Sequence, residues 1–331
     1  MEAFGFGLQG EASLQTITLD VLKSSEIEGE ILNNEQVRSS IARRLGMDIG
    51  GLVPADRNVE GVVEMMLDAT QHYEKELTDE RMYGWHATLF PTGRSGMHKI
   101  ITGAWRNNTA DDPMQVVSGP IGRPVVHFEA PAAERLSEEM AQFIEWFNTA
   151  GNDDPVIKAA IAHLWFVTIH PFDDGNGRIA RTITDMLLAR ADGTPQRFYS
   201  MSAQIRKERA VYYSTLEATQ KGDMDITPWM EWFLNCLGRA IKASDETLAL
   251  VLKKAKFREQ HANTAFNERQ KLMINKLQDG FEGKLNTSKW AKITKSSQDT
   301  ALRDIQDLVQ KAVLVKEESG GRSTSYTLVM E

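Results

Sequence analysis

The segment Ile169–Arg190, IHPFDDGNGRIARTITDMLLAR, gathers residue types that suit phosphate chemistry. An apolar helix must end at His170-Pro171, because the residue before a proline is pushed out of the helical region. Asp174-Gly175-Asn176-Gly177 is a turn with two flexible glycines, and Arg178 opens the next helix. Backbone N–H groups at such a start favour an anion. Arg178 and Arg181 are three apart, so they project from one side of the first turn. Two cations there oppose the helix dipole, at a cost of a few tenths to about 1 kcal/mol each, and a bound polyphosphate would reverse that sign. Asp174 adds a hard oxygen ligand suited to Mg²⁺, which takes one or two carboxylates together with phosphates. A neutral His170 beside the phosphates can take the proton of an attacking hydroxyl. Asp173 is expected to be solvated or structural. The bland alternative is a glycine-rich loop capping a core helix, with His170 a satisfied terminal residue.

These residues need a frame, and the frame reads as mainly helical. Leu14–Ser24 is an amphipathic helix ending near Gly29, and Asn34–Leu45 is a second, stopped by Gly46. Val59–Leu77 is a third, on the spacing Val62, Met65, Met66, Ala69, Tyr73. Thr78 caps a fourth. From Gly93 to Ala130 the chain turns rich in Gly, Pro, Asn and Thr, with strand-like pieces at Lys99–Thr102, Met114–Ser118 and Val125–Phe128, a pattern expected of a hairpin flap. Helices resume at Pro131–Asn148 and Pro155–Ile169, the latter capped by Asp154 with proline in its first turn. That helix is apolar nearly all round and belongs at the centre of a bundle. Further helices are expected at Ile179–Ala191, Ile205–Gln220 and Thr227–Gly238, with a long charged one from Arg239 to Phe266. Beyond it, helices at Asn267–Gly280, Asn286–Ile293 and Ser297–Gln310 and strands at Val313–Lys316 and Ser323–Val329 spell a winged helix-turn-helix.

Composition bounds the answer. At 331 residues the chain exceeds the size at which single cores usually split. A net charge of −8 weighs against binding nucleic acid over the whole surface. The single cysteine, Cys236, rules out an internal disulfide or a cysteine-based metal site, and its apolar helical surroundings predict a core thiol. No apolar run nears the ~18 residues that span a bilayer. The start of the chain carries no secretory pattern, so a cytoplasmic protein is expected.

The central segment resembles the signature of the Fic family, H-P-F-x-(D/E)-G-N-G-R-x-x-R, and agrees at each defined position. Leu22–Glu30, LKSSEIEGE, resembles the family's inhibitory helix, (S/T)-x-x-x-E-(G/N), through Ser24, Glu28 and Gly29. Ile205–Asp223 resembles the segment that contacts adenine and ribose, with Tyr212 and Gln220 at the contacting positions, although family members often carry Asn at the latter. Gln115–Gly119 falls where the family has a flap that pairs with a target peptide by strand addition, which brings in Val117, Ser118 and Gly119. The resemblance covers about Leu14–Leu237.

It implies a Fic-type helical bundle with a β-hairpin flap and a small α+β winged helix-turn-helix appendage. The segments would be 1–58 for the N-terminal helices, 59–262 for the catalytic unit and 263–331 for the winged helix. By the same resemblance His170 is the general base and Asp174 holds Mg²⁺. Gly175, Asn176, Gly177 and Arg178 cradle the α- and β-phosphates of ATP, and Arg181 meets the γ-phosphate. AMP passes to a Tyr, Thr or Ser hydroxyl of a target protein, and a Glu28–Arg181 salt bridge holds the enzyme in check. Other members transfer UMP, phosphate or phosphocholine, or remove AMP.

The alternative from a different class is a winged-helix transcriptional regulator whose Fic-like unit only senses nucleotide. Lys289, Lys292, Lys295 and Arg303 could face phosphates, whereas Asp299, Asp304 and Asp307 on the recognition helix weaken base reading. Protein recognition, or packing on the rest of the chain, is the expected role of that unit, and a homo-oligomer is compatible with the sequence. His163 is expected to be a hydrogen-bonded core histidine, His86, His98 and His127 are scattered, and Trp229–Phe233 is core. The charge run Lys253–Glu259 reads as a solvated helix face.

Overall fold

The computed structural model describes residues 6–47, 51–119, 123–149, 151, 154–317 and 324–329. It is mainly helical, with three small antiparallel hairpins among the described residues. In chain order come α1 (Phe6–Ile27), α2 (Asn34–Arg44), α3 (Arg57–Gln71) and α4 (Asp79–Leu89), then the strand pairs β1 (Arg94–Ser95) with β2 (His98–Lys99) and β3 (Gln115–Ser118) with β4 (Val125–Glu129). Next are α5 (Leu136–Asn148), α6 (Pro155–Ile169), α7 (Asn176–Asp192), α8 (Met201–Lys207), α9 (Arg209–Lys221) and α10 (Thr227–Gln260). The chain continues with α11 (Glu268–Gln278), α12 (Thr287–Thr294), α13 (Gln298–Gln310), and β5 (Leu314–Lys316) paired with β6 (Tyr326–Leu328).

Helix α6 lies at the centre, as its all-round apolar sequence requires, and packs chiefly on α7, with α5 and α10 on its other sides. Phe166 of this helix and Phe143, Phe147 and Phe172 around it are fully buried. Each contributes roughly 1.5–3 kcal/mol through burial. Asp154 caps α6 by accepting from the Val156 and Ile157 amides, and Thr78 caps α4. One hydrophobic cluster runs from Leu14 to Leu237 and includes α1 and α2. A second joins α11, α12, α13 and the last hairpin, and Phe257 from the end of α10 reaches into it.

The two clusters meet through charge. The buried Lys254 of α10 holds Asp279 at 2.6 Å, and Arg38 of α2 approaches Asp279 and Glu11 at 3.4 and 3.5 Å. Burial pushes the Glu11 carboxyl up, but Arg258, Arg38 and Lys254 outweigh it and hold the group below the usual carboxylate range. Lys254 therefore departs from the solvated face expected of Lys253–Glu259.

Several boundaries differ from expectation for identifiable reasons. Helix α3 stops at Gln71 rather than Leu77, because Arg81 gathers the carbonyls of Asp68, His72, Lys75 and Glu76. The span expected as one helix, Ile205–Gln220, breaks at Glu208, whose carboxylate accepts both Nε and Nη2 of Arg239 at 2.6 Å. Gly238 does not end a helix, and α10 runs through it. Burial of Phe233, Cys236, Leu237 and Ala240 along that stretch outweighs the ~1 kcal/mol that a mid-helix glycine costs. The expected strand start at Ser323 and the Ser-Gly-Gly-Arg turn lie outside the described residues.

Candidate active site

The loop Pro171–Gly175 hangs between α6 and α7 and is closed on itself. The buried Asn176 side chain accepts from the Phe172 amide at 3.0 Å and donates to the Phe172 carbonyl at 2.8 Å. Those two bonds fix the side chain and leave its second N–H and second oxygen lone pair, besides the backbone N–H, unassigned. Gly175 needs glycine, since its φ is +82° and a Cβ would press within 2.9 Å of the Phe90 ring. Asp173 is structural, accepting the Ile101 amide at 2.8 Å. Asp174 accepts the Gly175 amide at 2.6 Å and the hydroxyl of Ser95, which β1 supplies.

His170 terminates α6 in the left-handed region, φ +52°. Its Nδ1 lies 3.2 Å from the Val167 carbonyl. A carbonyl only accepts, so Nδ1 carries the proton and Nε2 keeps a lone pair. Burial, reinforced by the cation of Arg106, holds the imidazole below its ordinary value and therefore neutral near pH 7. Arg106 also ties the loop down. Its Nε donates to the His170 carbonyl at 2.7 Å, its Nη2 to Ile169 and Pro131 carbonyls, and its own amide to the Pro171 carbonyl at 2.9 Å. His86 is a second strut, stacked on Phe172 with its Nε2 3.2 Å from the Asp174 carbonyl and its Nδ1 accepting from the Gly103 amide. Burial pushes His86 down to about 4, so it too is neutral. Neither role was foreseen, because a lone Arg or His in a loop carries no periodic signal.

The anion cradle at the start of α7 faces the end of α1. That helix closes in a Schellman turn, with Glu30 N–H on the Ser25 carbonyl, Gly29 N–H on the Glu26 carbonyl and Gly29 at φ +86°. Ser24 and Glu28 thereby come within reach of Arg181. Arg181 Nε donates to Ser24 Oγ at 2.9 Å, and Nη2 donates to the Ser24 carbonyl at 2.9 Å and to Glu28 Oε1 at 2.7 Å. A Cβ built on Gly177 would collide with the Glu28 carboxylate and lie 3.2 Å from Arg181 Nη1. A carboxylate thus sits over the first turn of α7, where an anion is most stable. Glu30, absent from the expected set, pairs with Arg178 Nη1 at 2.7 Å, and Arg178 also lies over the Phe90 ring. Two buried donors in the cradle, Arg178 Nε and Arg181 Nη1, have no hydrogen-bond partner.

The remaining expected residues divide. Tyr212 is buried in the core, its hydroxyl 2.9 Å from Nε2 of His163, whose Nδ1 meets Thr184 Oγ1 at 2.8 Å. His163 is thus the satisfied core histidine its helix implied. Its partner Tyr212 cannot reach a ligand without repacking. The next residue, Tyr213, is exposed and bonds Glu28 Oε2 at 3.3 Å, so the side chain at the cradle is one position later than expected. Gln220 is half-buried and donates to Thr168 Oγ1 at 3.2 Å. The β3–β4 hairpin stands where a flap was expected, with Val117 exposed and Gly119 at φ +99°. Ser118 Oγ lies 2.6 Å from His127 Nε2, and His127 Nδ1 lies 2.8 Å from Glu217 on α9, so His127 clamps the hairpin to the helix below. Among the described residues no group of three or more His, Cys, Asp or Glu is placed to hold a metal by itself, and no helix is long and apolar enough to cross a membrane.

A family profile described as "Fic/DOC family" matches residues 76–188, and another, "Domain of unknown function (DUF4172)", matches residues 1–47. A protein adenylyltransferase Fic of Drosophila mojavensis is 34% identical over 226 residues, 67% of this chain and 40% of its own length. Protein adenylyltransferase fic-1 of Caenorhabditis briggsae is 35% identical over 99 residues, 29% of this chain and 18% of its own. The chain therefore spans two-fifths or less of the length of these curated relatives. A crystal structure of a Fic family protein from Desulfovibrio desulfuricans superposes with a TM-score of 0.54 over 99% of this chain and 89% of that one, at 20% identity, a likeness of fold.

Proposed function

Residues 76–188 are a Fic/DOC-family domain, and from that premise we propose that the chain transfers AMP from ATP to a Tyr, Thr or Ser hydroxyl of a protein. The observation that carries this proposal is the pairing of a neutral His170 with an anion cradle that already holds carboxylates. His170 Nε2 takes the proton of the incoming hydroxyl. The hydroxyl oxygen bonds to the α-phosphorus as the bond to pyrophosphate breaks, and pyrophosphate leaves. The Gly175–Gly177 backbone and Arg178 receive the phosphates. Arg181, with its unpartnered Nη1, receives the terminal one.

Asp174 fits Mg²⁺ through its donor set: one hard carboxylate, each oxygen accepting a single hydrogen bond and keeping a lone pair, beside a phosphate cradle. Bound there, the ion would neutralise charge on the phosphate oxygens. Ser95 would hold the carboxylate in place. The β3–β4 hairpin offers Val117–Gly119 to an extended target segment.

In this reading the chain is self-inhibited, because Glu28 occupies Arg181 and Glu30 occupies Arg178. ATP then binds in a pose whose α-phosphorus is turned from the hydroxyl, and a misplacement on the order of 1 Å can cost about 100-fold in rate. The segments 1–58, 59–262 and 263–331 remain our proposed division of labour. The test pairs two measurements on His170→Ala: ATP affinity should be retained and transfer lost. Equal loss of both would remove His170 from the base role. Asp174→Ala should abolish the dependence of ATP affinity on Mg²⁺, and an unchanged dependence would remove it from the metal role.

One observation favours a second role for the C-terminal unit. Asp304 of α13 is buried, held by Arg269 and Asn267, and the partly exposed Asp307 is paired with Gln270 and Lys311, which leaves Asp299 as the one exposed, unpaired carboxylate of the three that the sequence set against phosphate binding. Lys292, Lys295 and Arg303 stay exposed. Duplex binding that weakens steeply with salt would support a nucleic-acid contact, and binding no tighter than that of a chain truncated after Ala262 would exclude it.

A further inference from the structure

Away from the cradle, a cleft of about 390 Å³ opens between α1, α8 and α10, within the size range of small-ligand sites. Its floor is apolar, formed by Leu19, Ala203, Ala240 and Ala243, with Tyr199 beside it. Its rim holds three cations, Lys23, Arg206 and Lys207, against one carboxylate, Glu26. That is a local excess of two positive charges on a chain whose net charge is −8.

The polar groups of the cleft are incompletely used. Glu26 alone answers both Lys23, at 2.6 Å, and Arg206, at 3.0 Å. Lys207 is exposed and has no ion-pair partner among the described residues. Arg206 Nε is buried without a partner. So is the hydroxyl of Thr16, a lining residue only 1% exposed. A helical threonine ordinarily spends its hydroxyl on the carbonyl one turn back, and Thr16 does not. Both atoms are shielded from solvent, so a ligand in the cleft meets Arg206 through the exposed part of its side chain, 39% of it, and not through these two donors.

We propose that this cleft binds a small organic phosphate, its dianionic head among Lys23, Arg206 and Lys207 and its apolar body on Leu19, Ala203 and Ala240. A dianion matches the excess of two charges, and Arg pairs with phosphate through parallel N–H donors. A bound phosphate would compete with Glu26 for Lys23 and Arg206. Glu26 lies in the last turn of α1, between Ser24 and Glu28, which hold Arg181 on the helix's other side. Occupancy of the cleft therefore bears on the turn that occupies the cradle. The coupling rests on the functional reading above, whereas the binding does not.

The test is calorimetry on the full chain in phosphate-free buffer, with phenyl phosphate, inorganic phosphate and phenol as probes. Phenyl phosphate should bind with one site per chain, inorganic phosphate more weakly and phenol not at all. Arg206→Gln combined with Lys207→Gln, both on the surface, should weaken phenyl phosphate at least tenfold, and Glu26→Gln should tighten it. Arg181→Ala should keep saturable binding at one site per chain, with an affinity altered only by the coupling through α1. Binding lost in Arg181→Ala but kept in the Arg206→Gln, Lys207→Gln variant would place the probe in the nucleotide cradle and overturn the proposal. So would the absence of saturation up to about 10 mM, beyond which affinity falls under ~3 kcal/mol, for the wild-type chain and Glu26→Gln alike. If phenyl phosphate binds as expected but leaves AMP transfer unaltered, the coupling to α1 is refuted.

Discussion

Replacing Glu28 by glycine should release the cradle, and the structure sets the size of the effect. Glu28 contributes one strong charge-assisted bond, 2.7 Å to Arg181 Nη2, and a longer one from Tyr213 at 3.3 Å. A hydrogen bond to a charged group is worth about 1.5–3 kcal/mol. The Glu28 side chain is 32% exposed, so the lower half of that range applies. The aligned pose of bound ATP, which alone must displace that carboxylate, gains about tenfold over the misaligned one, rising toward 100-fold if the pair behaves as buried. Arg181 keeps its bonds to Ser24, so the variant should fold, with a melting temperature lower by a few degrees at ~1 kcal/mol. The assay is the initial rate of label transfer from α-labelled ATP at saturating ATP and Mg²⁺, together with thermal melts with and without ATP. The ATP-induced rise in melting temperature should be larger in Glu28→Gly than in the parent. An unchanged rate at saturation would refute the inhibitory assignment.

Other consequences can be checked alongside. Glu30→Gln should raise transfer by a smaller factor than Glu28→Gly and add to it, because it frees Arg178 and not Arg181; a double variant no faster than Glu28→Gly would show that Glu30 is only a surface partner. Arg106→Gln removes a cation beside His170, so the imidazole should rise toward its ordinary value and the acid limb of the pH–rate profile should move to higher pH; an unmoved limb would confine Arg106 to structure. The buried pair Asp20 and Asp185 shares Arg197, and burial with the neighbouring carboxylate pushes Asp20 up to about 8. Its folded form holds a proton that the unfolded chain loses near pH 4. This contribution to stability is therefore full below pH 4 and fades as pH rises through 8. Melting temperature should fall over that window, and Asp20→Asn should flatten the fall.

The chemistry was legible where it is local in the chain. His170 to Arg181 lie within one turn and one helix start, and proline, glycine and arginine each dictate a conformation there. Ser24, Glu28 and Gly29 were legible only through resemblance, since nothing in composition brings residues 153 apart to one guanidinium. Glu30, one residue beyond the matched pattern, was invisible for the same reason. Arg106 and Ser95 come from the Gly- and Asn-rich stretch, where no period announces a partner. Tyr212 and Tyr213 show the limit of motif transfer on a helix. Adjacent residues point about 100° apart, so a shift of one exchanges the core for the site. In the fold, the helix core α6 followed from its apolar circumference. The ends of α3 and α8 instead depend on Arg81 and Arg239, long side chains reaching in from elsewhere.

The central claim is that His170 directs AMP to a protein hydroxyl once Glu28 is removed. Intact mass spectrometry of Glu28→Gly, alone and with His170→Ala, after incubation with ATP, Mg²⁺ and a mixture of cellular proteins, tests it most directly. The account predicts a mass gain of one adenylyl group on a target or on the chain itself, with pyrophosphate released, and no gain when His170 is also replaced. A gain of phosphate alone, or an adenylyl gain that persists without His170, would contradict it.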